Sequence, residues 1–211
     1  MKISLINGSP KNRGSVSGTL LKTLENILLK TDIDKKIDIS NFKISNSNID
    51  RSQYDTISDS EILIFAFPLY IDSVPSHMIK WLSLFEDSFS SNDIRIFTII
   101  NCGFYEGFQS KNAISIMKNW TDKANLKWGQ GLGVGGGPTF FFEKTIEQNI
   151  GKNLYNGLKI LSTNILTGND GENIYTTPNI PRFVYMLTSH HLWRRAIRTF
   201  GGKPKDLSKK L

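Results

Sequence analysis

Residues 1–30 read MKISLINGSPKNRGSVSGTLLKTLENILLK, and the order of residue types within them decides the fold. Residues 2–7, KISLIN, form a short apolar run of strand length. From Val16 onward the apolar residues Val16, Leu20, Leu21, Leu24, Ile27 and Leu28 recur at the spacing of one helix face. Between the two lies GSPKNRGSVSG, a small, polar, hydroxyl-rich loop. A loop leading into a helix offers free amides and the positive end of the helix dipole, which together favour an anion. Ser9, Asn12, Ser15 and Ser17 add side chains that can complete the shell of a phosphate. The loop lacks both G-x-x-x-x-G-K-[ST] and G-x-G-x-x-G, so a terminal monoester phosphate suits it better than a polyphosphate. An ordinary strand-to-helix turn with a serine cap fits the same residues.

The strand–loop–helix order repeats along the chain. KKIDISNFKI (35–44) alternates as a second strand, and EILIFAFP (61–68) is a continuous apolar run, as expected of a central parallel strand covered on both faces. Pro75 suits the first turn of a helix with the apolar stripe Met78, Ile79, Leu82, Phe85 and Phe89. IRIFTIIN (94–101) reads as the fourth strand, residues 108–124 as a helix, and LKWGQGLGVGGG (126–137) as a fifth strand dissolving into glycine. A further helix spans 143–166. This alternation predicts an α/β, doubly wound sheet of five parallel strands with helices on both faces. In such a sheet a ligand sits beyond the carboxyl ends of the strands where strand order reverses. The loops 8–15, 68–75, 101–107 and 133–139 are therefore the candidate site.

The chain has 211 residues, 39% hydrophobic and 21% charged, which bounds it to one ordered domain with an appendage at most. One cysteine, Cys102, excludes an intrachain disulfide framework and cysteine-ligated zinc or iron–sulfur centres. It reads as a packing residue. His77, His190 and His191 read as non-catalytic, and no carboxylate–histidine cluster suggests a metal. Neither a leader nor a membrane span is apparent, so the expected location is cytoplasmic.

Two more loops narrow the site. FPLYIDSVPSHMIKWL carries Pro68 and Pro75 around a rigid segment whose backbone groups can meet a planar heterocycle, with Tyr70 supplying a flat edge. NCGFYEG joins a strand end to glycine and aromatics, permitting close backbone approach to a ring. Together with INGSPKNRGSVSGTLL, these motifs resemble those of the flavodoxin-like NAD(P)H-dependent FMN reductases, over roughly residues 1–165. The resemblance implies a flavodoxin-like sheet of strand order 2-1-3-4-5 and an FMN-dependent oxidoreductase that takes hydride from NAD(P)H and passes electrons to a flavin, quinone or similar small acceptor. It implies FMN phosphate at Ser9, Pro10, Asn12, Ser15, Val16 and Ser17, and the ring at Pro68, Leu69, Tyr70 and Ile71. The ring's pyrimidine side would meet Asn101, Gly103 and Phe104. No protein side chain is expected to be catalytic, since the flavin carries the chemistry. Many members have Asn-Thr where this chain has Ser15 and Val16, so a phosphate hydroxyl is missing unless Ser17 supplies it. The alternative is a flavodoxin-type electron carrier. The glycines Gly131, Gly133, Gly135, Gly136 and Gly137 suit either an open surface for substrate or nicotinamide, or a flexible loop after an edge strand.

The tail is separate in character. Residues 1–170 are expected to be the FMN domain and 171–211 an extension packed on it or on a partner subunit, with a homodimer implied by the resemblance. Arg194, Arg195, Arg198, Lys203, Lys205, Lys209 and Lys210 against Asp206 put +6 of the chain's +7 charge into its last eighteen residues. Phe183, Met186, Leu187, His190, Trp193, Arg194 and Ile197 follow helical spacing. Such a helix can pack on protein, or lie on an anionic membrane surface or nucleic acid; packing on protein is the expectation, with no nucleic-acid partner.

Overall fold

The computed structural model of the chain describes residues 1–11, 13–32, 36–44, 51–86, 93–137 and 146–208. Asn12, Phe89 and 143–145, the expected start of a helix, lie outside the described residues. Six strands, β1 (Lys2–Asn7), β2 (Asp38–Lys43), β3 (Ile62–Pro68), β4 (Arg95–Asn101), β5 (Lys127–Val134) and β6 (Ile174–Thr176), pair in parallel in the order β2-β1-β3-β4-β5-β6. The helices are α1 (Val16–Thr31), α2 (Arg51–Ser58), α3 (Ser76–Glu86), α4 (Lys111–Lys123), α5 (Lys152–Thr167) and α6 (Arg182–Thr199).

β3 shows how the core is divided. Its apolar run is unbroken in sequence, yet Ile62, Ile64 and Ala66 join one buried cluster while Leu63, Phe65 and Phe67 join another. The period-2 pleat of a strand sends successive side chains to opposite faces, so both faces must be covered. Leu20, Leu24 and Leu28 of α1 and Leu154, Leu158 and Leu161 of α5 cover the first. Met78, Trp81, Leu82 and Phe85 of α3 with Ile114, Met117 and Trp120 of α4 cover the second.

Several expectations are corrected. The five-strand order gains β6, which pairs beside Leu132, Gly133 and Val134 and makes β5 an inner strand. Three residues are too few for a periodic signal, and the sheet runs past residue 170. The helix α2 was not expected; its one buried apolar side chain is Ile57, while Tyr54 sets its ring edge-on to Phe85. Ile79 is 47% exposed and leaves the α3 stripe. The helix expected from 108 opens with a tighter 3-10 turn at Gly107–Ser110, with Phe108 exposed, and α5 begins at Lys152 after another such turn at Asn149–Gly151.

The chain moves outward from β1 to β2, then returns to the other side of β1 and continues from β3 to β6. The reversal between β1 and β3 is the switch point, and the loops after β1, β3, β4 and β5 emerge at that same edge.

Phe65 tests the second face of the core. It is fully buried, with its ring 6.0 Å from Trp81 and 5.8 Å from Trp120, both edge-on. Phe65→Ala is expected to lower unfolding free energy by about 3–5 kcal/mol in urea titration, with little change in the slope of the transition.

Candidate functional site

The first loop is held by its own side chains. Ser15 caps α1: its Oγ accepts the Gly18 amide at 3.0 Å and the Asn7 Nδ2 at 3.3 Å. A hydroxyl that accepts twice still has its own proton to donate. Ser9 is buried; its amide donates to Asn7 Oδ1 at 3.0 Å and its Oγ accepts the Lys11 amide at 3.4 Å. Pro10 is exposed. The first amides of a helix have no intrahelical acceptor, and with Gly18 taken by Ser15 those of Val16 and Ser17 have no acceptor among the described residues. The Val16 side chain is buried in the first core cluster.

The Ser17 hydroxyl has a protein partner. It is 1% exposed, and its Oγ donates to Asn101 Oδ1 at 2.8 Å. The tie crosses from the start of α1 to the end of β4. Asn101 is also buried, and its main-chain oxygen accepts the Leu69 amide at 2.8 Å. The His77 ring Nε2 lies 3.0 Å from the Gly8 carbonyl, and the Gly8 amide donates to Ala66. Three of the expected loops thus meet at one hydrogen-bonded edge.

In the second loop Pro68 and Leu69 are half-buried and Tyr70 is 47% exposed. The Tyr70 and Ser73 amides and carbonyls bond reciprocally at 3.2 and 3.0 Å, closing a two-residue turn at Ile71 and Asp72. Their φ angles are +49° and +54°. This left-handed pair is the geometry of a tight hairpin turn, which asparagine and glycine adopt readily and a β-branched residue does not. Ile71 is fully exposed, so no packing of its side chain offsets that strain.

In the third loop Gly103 is exposed, with open space where a Cβ would stand, and Phe104 is 55% exposed. Behind them the glycine string is neither an open surface nor a flexible loop. The amides of Gly135, Gly136 and Gly137 donate to Thr176, Phe104 and Cys102 carbonyls at 3.0, 2.6 and 2.8 Å. A Cβ on Gly135 would stand 2.1 Å from the Tyr105 carbonyl oxygen. Glycine is needed there because two backbones touch.

The tail reaches this loop. Tyr185 donates to the Gly103 carbonyl at 2.6 Å, Tyr105 donates to the Ile180 carbonyl at 2.7 Å, and Arg182 pairs with Glu106 at 2.8 Å. The Tyr105 and Tyr185 rings lie 5.5 Å apart. Motif reading did not assign Tyr185 to the site; its helical spacing gave no sign of a partner 82 residues away. Lys43, also missed, ends β2 and donates to the Lys11 carbonyl at 2.6 Å, beside a cavity of about 420 Å³ that Lys11, Arg13, Ser15 and Lys22 also line. A wider cavity of about 830 Å³, lined by Arg95, Lys118 and Lys127 among others, lies at the opposite edge of the sheet, where Arg95 and Lys127 are paired with Asp170 and Asp93. It is remote from the switch point.

Cys102 is buried beneath the third loop, and that burial pushes its thiol up from the ordinary value of 9.0. It is a neutral packing group.

No protein-family model matches the sequence, and no curated protein matches it. Solved structures match the fold. A NAD(P)H:quinone oxidoreductase from Methanothermobacter marburgensis aligns over 78% of this chain and 96% of its own, with TM-score 0.58 and 11% identity. An NADH:FMN oxidoreductase in apo form aligns over 77% and 88%, with TM-score 0.56 and 13% identity. A flavodoxin from Streptococcus pneumoniae TIGR4 aligns over 79% and 99%, with TM-score 0.54 and 12% identity. The fold is flavodoxin-like.

Two substitutions probe these loops. Ile71→Asn, which relieves the left-handed strain, is expected to raise stability by about 1 kcal/mol in thermal or urea unfolding. For Cys102 the neutral thiol favours the folded state. That contribution is complete below the ordinary thiol value and declines as pH rises past it towards the folded value. Wild type is therefore expected to lose stability relative to Cys102→Ala between pH 7 and pH 10, measured by urea titration, the bounds being set about the thiol range.

Proposed function

We propose that the chain is an FMN-dependent oxidoreductase that accepts hydride from NAD(P)H and passes electrons to a small acceptor. The observation that carries this reading is the convergence, through Ser17 and Asn101, of the loops after β1, β3 and β4 at the switch point of a flavodoxin-like sheet. The fold-level likeness to the quinone and FMN oxidoreductases supports it.

The residues fit a flavin monophosphate. The phosphate would meet the amides of Val16 and Ser17, the Ser15 hydroxyl and the loop around Ser9, at a helix start with no acid in its first turn. Ser17 contributes its amide only, because its hydroxyl is committed to Asn101. Asn12 and Pro10 belong to the same loop in this reading. Pro68, Leu69, Tyr70 and Ile71 would line the ring, with Gly103 and Phe104 along its pyrimidine side. Open space at Gly103 and the exposed faces of Tyr70 and Phe104 leave room for a planar group. When bound, FMN supplies the hydride and electron chemistry. The chain's part is to orient it, and the Tyr185 hydrogen bond steadies the Gly103 segment against which the ring would rest.

Purified protein titrated with FMN is expected to bind it at micromolar concentration and to oxidise NADH or NADPH with a quinone or free flavin as acceptor. Lys43→Ala is expected to weaken FMN binding only modestly, about two- to fivefold, as a solvated cation near the phosphate would. Failure to bind FMN refutes the proposal. FMN binding without oxidation of NAD(P)H assigns the chain to the electron-carrier reading.

A further inference from the structure

α6 carries its apolar side chains on the outside. Tyr185 is its one buried residue, whereas Phe183, Leu187 and Trp193 are 66%, 66% and 67% exposed. At 3.6 residues per turn, Met186, Trp193, Ile197, His190, Phe183 and Leu187 fall on an arc of roughly 120°, centred roughly 140° away from Tyr185. The stripe thus points away from the helix's anchorage. Arg194 and Arg198 lie at its Leu187 edge, with Arg195 further round. Beyond the helix, Phe200 is 88% exposed and Leu207 50% exposed, beside Lys203 and Lys205. The one acid between residues 182 and 208 is Asp206, whose carboxylate accepts the Lys203 amide.

We propose that α6 and the turn after it bind the surface of an anionic lipid bilayer. The apolar stripe would sit at the boundary of headgroups and acyl chains, and the arginines would meet lipid phosphates. An exposed tryptophan, bulky aliphatic and aromatic side chains and flanking arginines without acids are the composition of a helix that lies in that boundary. Charge argues against a second copy as the occupant. A two-fold contact of α6 with itself would gather Arg194, Arg195 and Arg198 of both copies into one contact, with no acid on either helix to offset them. The rest of the chain, residues 1–193, carries only +1 and offers no acidic excess to receive them. No helix among the described residues is long and apolar enough to cross a membrane, so the contact is a surface one. Because Tyr185 and Arg182 hold the first turn of α6 to Gly103 and Glu106, binding would also hold the 101–107 loop near the lipid.

The full chain, sedimented with vesicles, is expected to bind phosphatidylcholine mixed with phosphatidylserine and not phosphatidylcholine alone, with release at high salt. Trp81 and Trp120 are buried and Trp128 is partly buried in β5, so a blue shift of emission on binding reports entry of α6 into the boundary when Trp193→Phe removes it. The triple variant R194Q/R195Q/R198Q is expected to bind about 100-fold more weakly, with unchanged circular dichroism. Phe183→Ser with Leu187→Ser is expected to abolish the blue shift. Equal binding to both vesicle types, or undiminished binding by the arginine variant, overturns the proposal. So does a lipid-free dimer that the Phe183→Ser, Leu187→Ser variant dissolves, which would assign the stripe to a second copy. None of these outcomes depends on FMN, so the lipid and flavin readings fail separately.

Discussion

The hydrogen bond from Ser17 Oγ to Asn101 Oδ1 is the interaction on which the candidate site depends. A parallel sheet delivers its strand ends to one edge, but it leaves the loops that follow free to diverge. Asn101 removes that freedom by binding α1 through its side chain and the 68–75 loop through its main chain. Both side chains of the bond are nearly inaccessible to water, so a missing partner would leave a buried polar group unmet, a penalty larger than the net value of the bond. The arrangement is therefore specific: loops that do not meet at Asn101 strand its acceptors. An asparagine suits the position because one side chain offers both an acceptor and a donor without charge.

The second constraint comes from the tail. Tyr185, Tyr105 and the Arg182–Glu106 pair brace the 101–107 loop from outside, while the glycine string braces it from below through backbone contacts. The loop is held on two sides, with Gly103 and Phe104 left exposed between them. Most of the exposed ion pair's value is lost to solvent, so the two tyrosine hydrogen bonds and the packed rings carry more of the bracing. What begins in sequence as an appendage is thus joined at its root to the edge where the candidate site lies, even though the rest of its helix stands clear of the domain.

The legible parts were those whose signals are local and long. The unbroken apolar run of β3 and the helical spacing after Val16 declared the central sheet and its first helix, and the rule of strand ends then pointed to the loops. β6 escaped because three residues carry no period, and α2 because its one buried apolar residue, Ile57, gives no stripe. The glycine string was ambiguous for a different reason. Its glycines answer to Tyr105, Gly107 and Thr176, and nothing in their own neighbourhood names those partners. The Ser17–Asn101 tie escaped likewise: a serine after a cap reads as a hydroxyl open to a phosphate until Asn101, 84 residues on, is known to stand opposite it.

That tie changes how an anion at the first loop would be held. Valine at position 16 looks like a lost ligand only if its side chain faces the loop, yet the side chain is buried among Leu20, Leu24 and other core residues. A hydroxyl at that position would therefore have to be accommodated by apolar neighbours. Under the proposed reading, Val16 and Ser17 offer amides, Ser15 offers the proton left over from capping, and the dipole of α1 adds to both. Amides fixed by a capped helix lose little entropy when they meet a ligand, whereas a free serine must first be ordered. Under that reading most side chains of this stretch hold the loop in shape, and recognition of an anion falls to the backbone amides with the Ser15 hydroxyl.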